Sequence, residues 1–145
     1  MPENYTITAI AHVIQLAVAP VFLLTGIGAI LNVMTSRLSR IIDRDRVLKK
    51  QLPTEEAAID LIEKELAALS LRGKYINWSI TCSTISALLV SAVVAILFLG
   101  EFVHFDVAVP VGFLFIIAMV VLIVALILFL KEILLATTSI RIGRH

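Results

Sequence analysis

Three long stretches without a charged residue dominate the pattern of this chain. Residues 4–36, 75–100 and 107–130 contain no Asp, Glu, Lys or Arg. Each is longer than the roughly 20 helical residues that cross a hydrocarbon core about 30 Å thick. The pattern therefore predicts an all-α membrane protein, a single membrane domain over residues 1–145, with transmembrane helices at about 8–35, 76–99 and 108–131.

The segment between the first two stretches has the pattern of amphipathic helices. Its apolar positions recur at helical spacing between charged residues: Leu38, Ile41, Ile42 and Leu48, then Ile59, Ile62, Leu66 and Leu69. Pro53 interrupts the pattern, and Thr54 is suited to cap the helix that follows. We expect a cytoplasmic helical hairpin over about 36–74 that extends spans one and two.

The composition excludes several classes of protein. Of 145 residues, 60% are hydrophobic and 16% are charged, and the mean hydropathy is +1.05. A soluble chain of this length could not bury so much apolar surface, because small domains bury only about two-thirds of what they expose when unfolded. A soluble enzyme, a disordered tail and a disulfide-rich module are therefore excluded, and membrane lipid is the expected surrounding.

All 12 basic residues fall on one side of the three predicted spans. They lie between the first and second spans or after the third, whereas Glu3, Glu101 and Asp106 belong to the other side. Because cytoplasmic segments are enriched in Lys and Arg, this asymmetry predicts an external N-terminus and a cytoplasmic C-terminus in a multi-pass protein.

One run of residues resembles a known family. Residues 15–33 read QLAVAPVFLLTGIGAILNV, and Arg37-Leu38, Arg40-Ile41 and Asp43-Arg44 follow them. Over roughly residues 8 to 100 the chain resembles a family of small bacterial membrane proteins that is catalogued as a domain of unknown function. The resemblance implies a three-span protein of the bacterial inner (plasma) membrane. It implies no activity, so no catalytic or binding residue is carried over.

Polar and small residues form a stripe along the first span. Thr25, Gly28, Asn32 and Ser36 follow one another at spacings of three and four, which places them on one helix face. In a ring of identical subunits they are candidate path-lining residues for ions or small solutes. Alternatively, they are polar contacts that hold helices together, and Asn32 then pairs with Asn77, Thr81 or Thr84.

Small residues also recur at every fourth position of the second span: Ser79, Ser83, Ala87, Ser91 and Ala95. In lipid, such residues allow helix backbones to approach closely. We therefore predict a helix-packing ridge and a homo-oligomer.

A basic collar, Arg37, Arg40, Arg44 and Arg46, follows the first span. Its expected roles are to set the topology and to meet anionic lipid head groups. A nucleotide or an acidic partner is the alternative ligand for the same charges.

The chain offers little with which to build an enzyme. It has no His-Glu-x-x-His, Gly-x-Ser-x-Gly or phosphate-binding loop, and no acidic residue within a predicted span. The cluster Glu101, His104 and Asp106 does not have a recognised metal-ligand spacing. We expect no catalytic residue, no cofactor, no metal site and no nucleic-acid partner. Two functions remain, an oligomeric channel with span one along its path, or a scaffold or regulatory subunit that binds other membrane proteins without conducting.

Overall fold

The structure, a computed structural model, describes residues 2–51 and 55–142 of the chain. Within those residues the backbone forms three α-helices, α1 (Pro2–Lys50), α2 (Glu56–Val103) and α3 (Ala108–Ile142). The predicted break at Pro53 and the predicted cap at Thr54 lie outside the described residues.

Each helix contains a window that is long and apolar enough to cross a membrane, which confirms the predicted all-α chain with three candidate spans. The buried share of this window is 22% in α1, 22% in α2 and 17% in α3. The exposed apolar side chains need an apolar surrounding, because contact with water is unfavourable in proportion to apolar area. The three helices therefore indicate a multi-pass membrane protein.

The first two helices extend well beyond the predicted spans. α1 continues to Lys49 and Lys50, whose charges suit the negative end of the helix dipole. α2 begins at Glu56, which suits the positive end, and passes Gly73 without interruption. Arg44 of α1 and Glu65 of α2 form an ion pair at 2.9 Å between these extensions. Their position relative to a membrane stays a prediction.

Residue contacts divide the chain into two compact units. The first unit comprises Met1–Ile30 and Cys82–Ile123, and the second comprises Leu31–Thr81 and Val124–His145. All three helices contribute to the core of each unit. Buried apolar residues of the first unit are Val13, Ala17, Ile27, Val90, Val93, Ala118 and Leu122, and those of the second are Met34, Ile41, Leu48, Leu69, Ile76 and Ala125. The single domain over 1–145 stays a prediction.

A tight turn in the first unit connects α2 to α3. The amide of Phe105 donates to the carbonyl of Gly100 at 3.3 Å, and His104 has a positive φ of 53°. This combination is the Schellman ending of a helix, with His104 in the position that glycine usually occupies. Asp106 Oδ1 then accepts a hydrogen bond from the Ala108 amide at 3.1 Å, as a helix N-cap does.

Gly100 is required by the close packing of this turn. A Cβ at this position would lie 2.5 Å from Cγ2 and 2.8 Å from Cγ1 of Val107. Because valine is stiff at χ1, it cannot simply turn away. We expect Gly100→Ala to lower the free energy of unfolding by about 1–3 kcal/mol.

Thermal unfolding in detergent, followed by circular dichroism, measures this loss. Gly112→Ala is the matched control, because a Cβ there meets nothing within 4 Å. The control should be neutral or stabilising by up to about 1 kcal/mol, the helix propensity difference between the two residues. Equal melting temperatures for the two variants would contradict the packing argument.

Candidate functional site

In the second unit, the completely buried carboxylate of Glu132 is bound by arginines from the other two helices. Arg37 of α1 donates from Nε to Oε2 at 2.9 Å and from Nη2 to Oε1 at 3.3 Å. Arg72 of α2 donates from Nε and Nη2 to Oε1 at 3.2 and 3.0 Å. The Arg37 guanidinium also lies 5.8 Å from the ring centroid of Phe129, within cation–π range. We call Arg37, Arg72 and Glu132 the buried triad.

Helical register brings the triad together. Each member occupies the buried face of its own helix, at the three- and four-residue spacing of that face. The neighbouring buried residues are Met34 and Ile41 on α1, Leu69 and Ile76 on α2, and Ala125 on α3. Apolar packing of these neighbours therefore fixes where the three charged side chains meet.

The triad balances desolvation against charge pairing. A carboxylate removed from water is costly unless it is paired and fully hydrogen-bonded, and Glu132 receives four hydrogen bonds. The side chains of Arg37 and Arg72 remain 33% and 21% exposed, so they keep part of their hydration. Two guanidiniums face one carboxylate, which leaves an excess of one positive charge.

A cavity lined by four arginines adjoins the triad. It has a volume of about 310 Å³, and its lining consists of Arg37, Arg40, Arg44, Arg72, Ile41, Leu69 and Ala136. We call it the arginine pocket. Ile41 and Leu69 are buried, so apolar side chains support the charged ones. The pocket combines a concave shape with a high density of hydrogen-bond donors, which suits an anionic group.

The predicted basic collar is divided by its contacts. Arg37 belongs to the buried triad, and Arg44 pairs with Glu65 in an exposed ion pair. Arg40 and Arg46 are exposed, and neither forms an ion pair among the described residues. Arg40 lines the arginine pocket, whereas Arg46 does not. Each of the four collar arginines therefore has a different surrounding, and their contact with head groups stays a prediction.

The predicted polar stripe of α1 is exposed on the protein surface. Thr25 and Gly28 in the first unit, and Asn32 and Ser36 in the second, are all exposed. The Thr25 and Ser36 hydroxyls donate to the carbonyls four residues earlier, at 3.2 and 3.0 Å. Within the second unit, the Asn32 side chain forms no hydrogen bond with the described residues Asn77 and Thr81, and its pairing with Thr84 stays a prediction. A Cβ at Gly28 would meet nothing within 4 Å.

The face of α1 that carries the stripe is apolar on the N-terminal side of Thr25. Ile14, Val18 and Val21 precede Thr25 at the same three- and four-residue spacing, and all three are exposed. They line an apolar groove of about 270 Å³ in the first unit, together with residues of α2. Polar character is therefore confined to the part of this face from Thr25 onward.

The predicted helix-packing ridge of α2 is buried only in part. Ser79 and Ser83 are buried, Ala87 is half-buried, and Ser91 and Ala95 are exposed. The Ser79 hydroxyl donates to the carbonyl of Ala125 at 2.6 Å in the second unit.

In the first unit, Ser86 takes the place expected of Ala87. Ser86 is buried and donates to the carbonyl of Ala118 at 2.8 Å. The buried face of α2 therefore follows alternating steps of three and four residues rather than steps of four alone.

The cluster Glu101, His104 and Asp106 lies in the turn between α2 and α3. His104 ends α2 and Asp106 caps α3, so both have structural roles there. Among the residues that the structure describes, no group of three His, Cys, Asp or Glu side chains could hold a metal ion.

Glu132 and Arg72 are the two site residues that sequence reasoning missed. Glu132 is the sole acidic residue after Asp106 in the sequence, and with Lys131 it ends the uncharged stretch 107–130. It also follows Ala125 by seven residues, two helical turns. An isolated acidic residue at this position of the helix indicates a buried carboxylate, but it does not identify the residues that pair with it.

Comparison with known proteins shows the family of the chain. A family model described as "Protein of unknown function (DUF2721)" matches residues 17–142. The chain therefore belongs to this family, which confirms the resemblance and extends it through α3. No curated protein and no solved structure matches the chain.

Proposed function

We propose that this protein is a non-enzymatic integral membrane protein that assembles as a homo-oligomer, with the polar stripe of α1 along a path for ions or small solutes. The observation that carries the proposal is the exposure of Thr25, Gly28, Asn32 and Ser36 within a span-forming helix. Polar groups in a spanning helix usually face protein or a water-filled cavity rather than lipid.

The chemistry of Asn32 makes lipid contact unfavourable. Its amide has two donors and an acceptor oxygen, and an amide transferred to an apolar medium without partners costs several kcal/mol. Another copy of the chain or a column of water would satisfy these groups. The exposed surface of Gly28 would let a neighbouring backbone approach closely.

A path along this face would have two parts. From Thr25 to Ser36 it would be polar, and from Ile14 to Val21 it would be apolar. Apolar constrictions in channels block flow by losing their water, so the apolar part would act as the barrier. Given the positive-inside rule, we place the polar part toward the cytoplasm of a bacterial inner membrane, with the N-terminus outside.

Asn32→Leu tests the path in planar bilayers or liposomes that contain the purified protein. If Asn32 contacts the permeating solute or its water, we expect single-channel conductance to fall by about tenfold, as for loss of one desolvated polar contact. Val33→Leu is the matched control, because Val33 is exposed on a different face of the same helix turn. Equal conductance in Asn32→Leu, Val33→Leu and the unmodified protein would exclude Asn32 from the path.

A non-conducting scaffold is the second candidate, and the glycines favour it. A Cβ at Gly26 or Gly28 would meet nothing within 4 Å, so this stretch of α1 offers open backbone surface to a partner helix. In this case α1 would bind another membrane protein through its stripe. A stable oligomer or complex with no measurable flux in any tested lipid or voltage would support the scaffold over the channel.

A further inference from the structure

We propose that the arginine pocket binds a phosphate group, and that the group belongs to the head group of an anionic membrane lipid. The proposal is independent of the path along α1. It rests on the second unit alone, on four guanidiniums around one cavity, and on the contacts that hold them there.

Charge in the pocket is not balanced by the protein. Glu132 compensates one of the two guanidiniums that it binds, and Glu65 compensates Arg44. Arg40 forms no ion pair within the described part of the chain. Four positive charges thus face two negative charges, and this excess of two is more than enough to neutralise the single negative charge of a lipid phosphodiester.

The buried triad prepares two of these arginines for a ligand. Arg37 and Arg72 both bind Glu132 through Nε and Nη2, so each keeps Nη1 as a further donor. A guanidinium held by a carboxylate on one edge loses less conformational freedom when an anion binds the other edge. Arginine forks suit phosphate oxygens in particular, because paired N–H groups match their spacing.

The position of the pocket favours a lipid as the source. Arg37, Arg72 and Glu132 each lie within three residues of the end of an uncharged stretch, at 36, 75 and 130. Three helices therefore leave the apolar layer together at the level of the pocket. Basic pockets between spanning helices at this level bind lipid head groups. A volume of about 310 Å³ is at the lower end for ligand sites, which fits a head group whose acyl chains stay outside.

Arg40→Gln tests the pocket, and Arg46→Gln is its matched control. Both arginines are exposed on α1, and each change removes one positive charge. Of these two residues, Arg40 lines the pocket and Arg46 does not. The full chain in neutral detergent is titrated with phosphatidylglycerol, phosphatidylcholine or inorganic phosphate, and bound ligand is counted by native mass spectrometry. The salt concentration is about 0.15 M, at which charges more than about 8 Å apart are largely screened.

We expect phosphatidylglycerol to bind more tightly than phosphatidylcholine. Arg40→Gln should weaken its binding by roughly tenfold, as for loss of charge-assisted hydrogen bonds, and Arg46→Gln by less than about twofold. Equal losses in the two variants would overturn the pocket in favour of diffuse surface attraction. Binding of inorganic phosphate with the same Arg40 dependence, and without preference for the lipid, would overturn the lipid source and assign a soluble phosphate ligand. Absence of binding by all three probes would overturn the proposal entirely.

Discussion

Replacement of Glu132 by Leu is expected to lower the free energy of unfolding by about 3 kcal/mol, the lower end of the loss when one partner of a buried ion pair is removed. Glu132 is fully buried and accepts four hydrogen bonds from two arginines. Without it, Arg37 and Arg72 would be two like charges on neighbouring helices with no counter-ion. Their partial exposure lets water compensate in part, which is why we expect the lower value. Thermal unfolding in detergent measures the change.

Two controls separate charge from packing in this experiment. Glu101→Leu removes an exposed carboxylate and should leave the melting temperature nearly unchanged. The triple variant Arg37→Met, Arg72→Met, Glu132→Leu removes the charges together, and apolar replacement of a whole buried ionic cluster is often neutral or stabilising. We therefore expect the triple variant to regain most of the stability that Glu132→Leu loses. A triple variant no more stable than the single one would contradict the charge argument.

The three helices could be predicted from the sequence because a helix that crosses lipid needs a long, continuous stretch of uncharged residues. That requirement is local, so residues 75–100 and 107–130 reveal it without knowledge of any partner. The continuation of α1 to Lys50 could also be predicted from the sequence, because no Pro or Gly interrupts the helical pattern between Gly28 and Lys50.

The buried triad could not be predicted in the same way. Arg37 and Glu132 are 95 residues apart, and Arg72 and Glu132 are 60 apart, so no local pattern joins them. The sequence predicts Arg37 in the surface collar because its neighbours Arg40 and Arg44 are basic, whereas its ion-pair partner Glu132 lies on another helix. Partner choice depends on which faces of three helices meet, and only tertiary packing decides that.

The buried face of α2 shows how a small error in periodicity moves a contact. Steps of four residues drift around a helix of 3.6 residues per turn, so a straight ridge gradually leaves the interface. Ser79 and Ser83 stay buried, but Ser91 and Ala95 have rotated to the exposed side. Alternating steps of three and four remain on one face, and they lead through Ser86 and Val90 to Val93.

Replacement of Ser86 by Leu is expected to destabilise the protein by about 1–3 kcal/mol through overpacking. Ser86 is completely buried, and its hydroxyl lies 2.8 Å from the carbonyl oxygen of Ala118 on α3. A leucine side chain at position 86 would push the backbones of α2 and α3 apart. The carbonyl of Ala118 would also lose its hydrogen-bond donor. Ser86→Ala removes the hydrogen bond alone, so it should cost only about 0.6 kcal/mol, the average for such bonds between membrane helices. A normal melting temperature for Ser86→Leu would show that α2 and α3 do not approach closely here.

Ser91→Leu is the counterpart that tests self-association rather than the fold of one chain. Ser91 is exposed, and its hydroxyl already donates to the carbonyl of Ala87 in its own helix at 2.9 Å, so a leucine there disturbs no contact within the chain. Against lipid the added apolar surface would be neutral or favourable. In a close contact between copies it would be too large, and we expect the mass of the assembly in lipid nanodiscs to fall while the protomer keeps its melting temperature. An unchanged assembly in Ser91→Leu would place this part of α2 against lipid and would leave the stripe of α1 as the remaining surface through which copies could meet.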